Sequence, residues 1–347
     1  MPEFRSDPSD RYIRQAILPE IGAAGQARLA RSHVAIVGAG ALGTFQAALL
    51  ARAGVGRLTV IDRDFVERSN LQRQILYTDQ DARLGLPKAL AAERALAAAN
   101  PEIRVEGVVD DLNPGSAAAL LAGADAIGDG TDNLETRYLI NDWALREGVP
   151  WVYAGVIGTG GLVMPVLPGV TACLRCVFVD PPAPGVLPTC ETAGVLAPAV
   201  AVVAGQQSAE LLKILVMATD RVTRGLLRYN VWEAGWTAVA TGGPQPDCPV
   251  CARGDYEWLE GRRGGRAARL CGRRAVQLLP GGGSPPPRLE ELAERLRPEW
   301  QVTVNEHLLR ARRNDRTVSV FRDGRAIVDG TSDEAEARTL YARVVGS

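Results

Sequence analysis

The stretch HVAIV (33–37) is an apolar run that ends in GAGALG, and an alanine- and leucine-rich stretch follows as far as Gly54. This order reads as strand, glycine turn and helix. Comparable short runs, RLTVID (57–62), EIRVEGVV (102–109), ADAIGD (124–129) and WVYAGVI (151–157), predict four more strands. Between them, the spacing predicts a long helix within 81–100 that ends at Asn100-Pro101, a short one over 117–122 and one over 133–147. Strands alternating with helices predict an α/β fold with a doubly wound, mostly parallel, Rossmann-like sheet. Ahead of it, residues 1–32 read as an extended start and a short helix.

After Gly158 proline and glycine become frequent, and the pattern suggests hairpins and loops until a helix over 195–217. That segment is apolar, but Gln206, Gln207, Glu210 and Lys213 interrupt it, so it reads as a buried helix and not a membrane span. The pattern changes again near Gly254. Residues 261–274 hold six arginines and no acid, and LPGGGSPPP (279–287) reads as a flexible or polyproline linker. Beyond it, RLEELAERLR predicts a helix, TVSVFRDGRAIV a hairpin with an Asp-Gly turn, and SDEAEARTLYARVV a closing helix capped by Ser332. We therefore expect a larger domain over 1–260 and a small α+β domain over 261–347.

The chain has 347 residues, 46% of them hydrophobic, enough for a sizeable core in about two domains. A net charge of −1 gives no global reason to expect nucleic acid or a membrane surface as partner. The polar start MPEFRSDPSDRYIRQ does not resemble a secretory signal, so the expected location is the cytoplasm. Only His33 and His307 supply imidazoles, and Lys88 and Lys213 are the two lysines among many arginines.

Gly38, Gly40 and Gly43 follow a strand and open a helix, where backbone N–H groups can cradle phosphates. Asp62 ends the next strand, 19 residues past Gly43, placed to hold a ribose hydroxyl. These features point to a nucleotide, with NAD the default on glycines alone. The polar group that follows Asp62 and Asp64, with Asn70, Gln72, Arg73 and Gln74, shifts the expectation to a triphosphate, whose charge needs neutralising. Lys88, just after Pro87 at a helix start, is a candidate phosphate ligand; a lone lysine is ordinarily a solvated charge, but with only two in the chain the phosphate role is the favoured reading. Strand four ends at the carboxyl edge of the sheet in DGTDN, so Asp132 is placed to hold Mg²⁺ on phosphate oxygens. Asn133 and Arg137 are expected to orient that loop, with Asp129 bracing it from behind. An Asp or Asn cap for the next helix explains the same residues, and Asp132 is compatible with both jobs.

Cys173-x-x-Cys176 and Cys248-x-x-Cys251 form a four-thiolate set suited to a structural, tetrahedral Zn²⁺. Cys190 stands alone before a helix start, which favours thiolate, although lone cysteines usually only pack. Cys271 is read as a buried structural thiol.

RYIRQAILPEIG, GAGALG, NLQRQ, GLPKA, DGTDNLETRYLIND and the two CxxC pairs, from about residue 11 to 252, resemble the ThiF/MoeB/HesA family, bacterial relatives of the ubiquitin-activating enzymes. The resemblance implies ATP-dependent adenylation of the C-terminal glycine of a ubiquitin-like sulfur-carrier protein ending in Gly-Gly, with a sulfurtransferase or cysteine desulfurase downstream. It implies that Asp62 holds the ribose, that Asn70, Arg73 and Lys88 hold phosphates supported by Gln74, and that Asp132 holds Mg²⁺. Arg14 would reach into the partner subunit's site, which implies a homodimer. In some members a cysteine placed like Cys190 links covalently to the carrier. An NAD-dependent oxidoreductase, or adenylation of a non-protein carboxylate or a tRNA base, remains the alternative.

Overall fold

A computed structural model describes residues 11–181, 193–263, 275–278, 287–322 and 324–345. Eight strands form the main sheet in the order β3-β2-β1-β4-β5-β6-β7-β8. They are β1 His33–Val37, β2 Arg57–Ile61, β3 Arg104–Val108, β4 Ala126–Asp129, β5 Trp151–Ile157, β6 Gly160–Val166, β7 Gly225–Asn230 and β8 Gly235–Ala240. The first five are parallel, as the alternating pattern predicts. The last three are antiparallel extensions of the same sheet.

Helices α1 Ile13–Ala16 and α2 Gly22–Leu29 precede the sheet, and α3 Ala41–Ala53, α4 Asp79–Leu84, α5 Lys88–Ala99, α6 Ala117–Leu120 and α7 Leu134–Glu147 lie between its parallel strands. Helices α8 Leu174–Val177 and α9 Ala197–Leu215 follow. Side-chain alternation along β1 divides the core into two layers. Val34 and Ile36 face Leu50 of α3, Leu96 of α5 and Leu211 of α9. Ala35 and Val37 face Tyr138 and Trp143 of α7. Both faces of the strand are covered, so its apolar run is continuous.

The strand order reverses between β1 and β4, which opens a crevice at their carboxyl ends. Backbone passes very close there. Gly38 has φ +91°, and a Cβ on it would stand 2.6 Å from the Gly130 carbonyl oxygen. On Gly43 a Cβ would stand 1.8 Å from the Gly38 oxygen. No helix among the described residues is long and apolar enough to cross a membrane.

The chain divides into two compact units, Met1–Arg263 and Gly264–Ser347. The second unit carries a five-stranded antiparallel sheet in the order β10-β11-β12-β13-β9. Its strands are β9 Ala275–Leu278, β10 Gln301–Val304, β11 Leu308–Arg313, β12 Arg316–Phe321 and β13 Ala326–Asp329, with helices α10 Leu289–Leu296 and α11 Glu334–Val345. Leu292 and Leu296 of α10 and Ala337 and Val344 of α11 share a core with Val318 and Val328. The hairpin expected over 317–328 is β12–β13, although Asp323 of its turn lies outside the described residues. The closing helix is capped one residue later than expected. Asp333 Oδ1, and not Ser332, accepts the N–H groups of Ala335 and Glu336, at 2.8 and 3.2 Å.

Candidate functional site

The glycine turn fixes the first wall of the crevice. Ala39 N donates to Asp62 Oδ2 at 2.7 Å, and Asp64 N donates to Asp62 Oδ1 at 2.7 Å, so both carboxylate oxygens are held by backbone. Burial raises the Asp62 pKa above the usual carboxylate value, and the Lys88 charge opposes it. Lys88 Nζ sits 3.1 Å from Asp64 Oδ2, with 6% of its side chain exposed, and its backbone N donates to the Asp64 oxygen at 2.8 Å. It is not a solvated surface lysine.

Two groups that the pattern of residues did not reveal complete this wall. Arg63 pairs with Asp111 at 2.6 Å, with 16% and 19% of the side chains exposed. Burial works against the Arg63 charge, but Asp111, Asp64, Asp132 and Asp62 around it raise its pKa. Arg63 stood in plain view between Asp62 and Asp64. Tyr77 donates its hydroxyl to the Ala39 oxygen at 2.7 Å and to the Lys88 oxygen at 3.3 Å, tying the 68–77 segment to the turn.

The second wall is the loop after β4. Asp129 is fully buried. Its Oδ1 accepts from Thr131 N and Oγ1, at 2.9 and 2.7 Å. Its Oδ2 accepts from Arg137 Nε at 3.0 Å and from Ala154 N at 3.4 Å. Arg137 also donates to the Thr131 and Ala154 carbonyls, at 2.6 and 2.9 Å, and stacks over the Tyr153 ring. Burial disfavours the Arg137 charge, yet Asp129 outweighs this and holds its pKa above the ordinary value. Asp129 and Arg137 clamp the loop from behind, and Asp132 is left exposed at its crest, with no hydrogen bond or ion pair among the described residues.

The other expected residues have mostly local partners. Asn133 is the cap of α7, accepting from Glu135 N at 2.9 Å, so the capping job goes to it and not to Asp132. Asn70 is 2% exposed and accepts from Glu67 N in a local cap. Arg73 is half-buried and donates to the Ser69 oxygen at 2.9 Å. Gln74 is buried, with Oε1 unpartnered. Gly40 caps α3. Arg14 is exposed on α1, with no ion pair among the described residues. Cys190 and Cys271 lie outside the described residues.

The four CxxC thiols converge. Their sulfurs all lie within 4.8 Å of one another, with Cys173 3.7 Å from Cys176 and 3.6 Å from Cys248, and Cys176 3.3 Å from Cys251. Zinc–sulfur bonds of about 2.3 Å at tetrahedral angles separate sulfurs by roughly 3.8 Å, so this set could hold zinc. Burial, then the neighbouring thiols, push Cys251 up to about 12; a bound dication would reverse this by stabilising thiolates. Cys173 is joined to α7 through Leu174 N, which donates to Asn141 Oδ1 at 2.9 Å.

Comparison with known proteins fits this geometry. The ThiF family model matches residues 12–250. The "Sulfur carrier protein ThiS adenylyltransferase" of Bacillus subtilis is 40% identical over 339 residues, covering 97% of this chain and 99% of the relative. The "Sulfur carrier protein adenylyltransferase" of Thermus thermophilus is 43% identical over 247 residues, 70% of this chain and 90% of the relative. A crystal structure of E. coli MccB with MccA-N7isoASN superposes with a TM-score of 0.62 over 72% of this chain and 76% of that one, at 24% identity, which shows a shared fold.

Proposed function

The chain belongs to the ThiF family, and from that premise we propose that it uses ATP to adenylate the C-terminal glycine of a ubiquitin-like sulfur-carrier protein ending in Gly-Gly. The observation that carries this reading is the meeting of two walls at one crevice: Asp62 held by Ala39 N with Lys88 beside Asp64, and Asp132 presented by the braced loop after β4. Both relatives are named adenylyltransferases, which favours this over the oxidoreductase alternative.

A C-terminal carboxylate has a pKa of about 3.3–3.7, so it arrives ionised and attacks the α-phosphate without a general base. The oxygen–phosphorus bond to the glycine forms as the bond to pyrophosphate breaks, giving acyl-adenylate and pyrophosphate. What the protein must supply is alignment and charge neutralisation. In this reading Asp62 holds the ribose, the Gly38–Gly43 turn lies along phosphate, and Asn70, Arg73 and Lys88, supported by Gln74, take phosphate oxygens. Lys88 must then share its charge between Asp64 and the nucleotide. Asp132, with no cation paired to it among the described residues, would hold Mg²⁺, which supplies charge neutralisation at the polyphosphate. Asn133 acts by setting the start of α7.

The four cysteines would hold Zn²⁺ as a closed structural site that ties α8 to the 248–251 turn. Arg14, exposed on α1, would complete the nucleotide site of a second copy in a homodimer. Cys190 is the candidate for a covalent link with the carrier during sulfur delivery by a sulfurtransferase or cysteine desulfurase. A zinc-held cysteine set and ATP use suit the cytoplasm. ATP–pyrophosphate exchange tests the reading: it should appear with a ubiquitin-like protein ending in Gly-Gly and vanish when that tail is removed. Exchange that is absent with every such carrier, or indifferent to the tail, overturns it.

A further inference from the structure

The second unit takes no part in the adenylation chemistry argued above, yet it carries an unprotected sheet edge. Among the described residues strand β10 pairs with β11 alone, at the end of the sheet order. Natural edges are usually blunted by a charge, a proline or a bulge. Gln301-Val-Thr-Val304 has no charge and no proline, and its register with β11 runs unbroken from Gln301↔Arg312 to Val304↔Leu309. Asn305 N donates to the Leu308 oxygen at 3.0 Å in the connecting turn. Antiparallel pairs alternate between bonded and non-bonded, so Thr303 and Gln301 face β11 while Val302 and Val304 turn their N–H and C=O groups outward.

At the start of this edge lies a shallow groove of about 660 Å³, lined by Arg297, Pro298, Trp300, Gln301, Arg312 and Asn314 among others. Its charge is one-sided. Arg313 is balanced by Glu299 at 2.9 Å and stacks over Trp300. Arg297 and Arg312 are exposed and make no ion pair among the described residues. Gln301 and Arg312 are register partners, so the Arg312 guanidinium stands beside the free edge on one face of the sheet.

We propose that β10 is a docking edge for an extended acidic segment of a partner protein, which adds as a sixth strand while its carboxylates meet Arg297 and Arg312. Outward N–H and C=O groups give affinity without regard to sequence, and the two guanidiniums select for acid. Residues 261–274 of this chain are arginine-rich and without acid, so they do not suit the groove.

The test uses the full chain and fluorescein-labelled ten-residue peptides in anisotropy titrations. One peptide alternates Glu with Val and Thr, one replaces Glu by Lys, and one keeps the acidic sequence with alternate backbone nitrogens methylated. Saturable binding is expected for the first alone, weakening as salt rises. The Arg297→Glu/Arg312→Glu variant should bind it about tenfold more weakly, a shift of about 1.4 kcal/mol. Far-UV circular dichroism checks that the variant is folded. Equal binding of the methylated peptide shows that no strand is added, and equal binding of the Lys peptide shows that charge plays no part. No saturable binding of the acidic peptide, or unchanged affinity in the folded variant, likewise overturns the proposal.

Discussion

Replacing Asp129 by Asn keeps the shape of the side chain and removes the charge that Arg137 faces. Asp129 is fully buried and 11% of the Arg137 side chain is exposed, so the variant leaves a nearly dry guanidinium without its anion. An amide nitrogen cannot accept, so placed at Oδ2 it loses the Arg137 Nε and Ala154 N bonds, and placed at Oδ1 it loses the Thr131 N bond. Breaking one partner of a buried pair costs about 3–5 kcal/mol, a large share of the roughly 5–15 kcal/mol that holds a domain folded. The Arg137 bonds to the Thr131 and Ala154 carbonyls keep the loss near the lower end. Urea unfolding should therefore show Asp129→Asn destabilised by about 3 kcal/mol. The Asp129→Asn/Arg137→Met double variant should be less destabilised than the sum of its singles. Because Asp129 also fixes Thr131, the folded fraction of the single variant should show a raised KM for ATP. A cost below about 1 kcal/mol with unchanged KM would refute the claim that this clamp positions Asp132.

Other outcomes follow from neighbouring geometry. Gly43→Ala puts a Cβ 1.8 Å from the Gly38 oxygen and should abolish nucleotide binding in a calorimetric titration. Gly205→Ala, inside α9 with no heavy atom within 4 Å of its Cβ, should instead stabilise by up to about 1 kcal/mol in the same unfolding assay. Asp132→Ala should lower ATP–pyrophosphate exchange about a hundredfold or more while leaving the unfolding midpoint unchanged, and exchange at full rate would remove Mg²⁺ from that residue. Zinc content should fall with Cys251→Ser, and the thermal transition of the first unit should collapse; a chelated protein that keeps its transition would contradict a structural metal. Burial raises the Asp142 carboxyl to about 6, although it accepts from Trp258 N and Leu259 N at 2.9 and 3.4 Å. The folded state therefore binds this proton more tightly than the unfolded state. The penalty for ionising it grows as pH rises from about 4 through 6 and stays constant above. Relative to Asp142→Asn, the wild type should gain about 1.4 kcal/mol between pH 7 and pH 5, and a loss over that range would mean that the shift runs the other way.

The parallel half of the sheet was legible because local pattern decides it. A short apolar run covered on both faces, followed by a glycine turn and a helix, has few other ways to fold. For β6, β7 and β8 the local pattern suggests only hairpins and loops, since their place in the main sheet rests on pairings such as Gly160↔Asn230, far apart in the chain. The same limit governs the site. Lys88 and Asp62 stood out because lysine is scarce and Asp62 ends a strand at a known spacing. Arg63 carries no such signal: its partner Asp111 lies 48 residues away, and nothing local marks the pair. Adjacent capping residues limit the pattern: it leaves Asp132 and Asn133 both open as caps and points to Ser332 where Asp333 does the work, because only backbone geometry decides which oxygen reaches the helix. The cysteine set was legible from spacing alone, because two CxxC turns far apart in a chain have one common use.

Adenylation itself can be followed by the transfer of label from ATP marked at its α-phosphate. Incubated with the full chain, magnesium and a ubiquitin-like protein ending in Gly-Gly, the label should move onto the carrier's terminal glycine as an acid-stable, hydroxylamine-sensitive adenylate. Label that stays in nucleotide while the protein demonstrably binds ATP would contradict adenylation of such a carrier by this crevice.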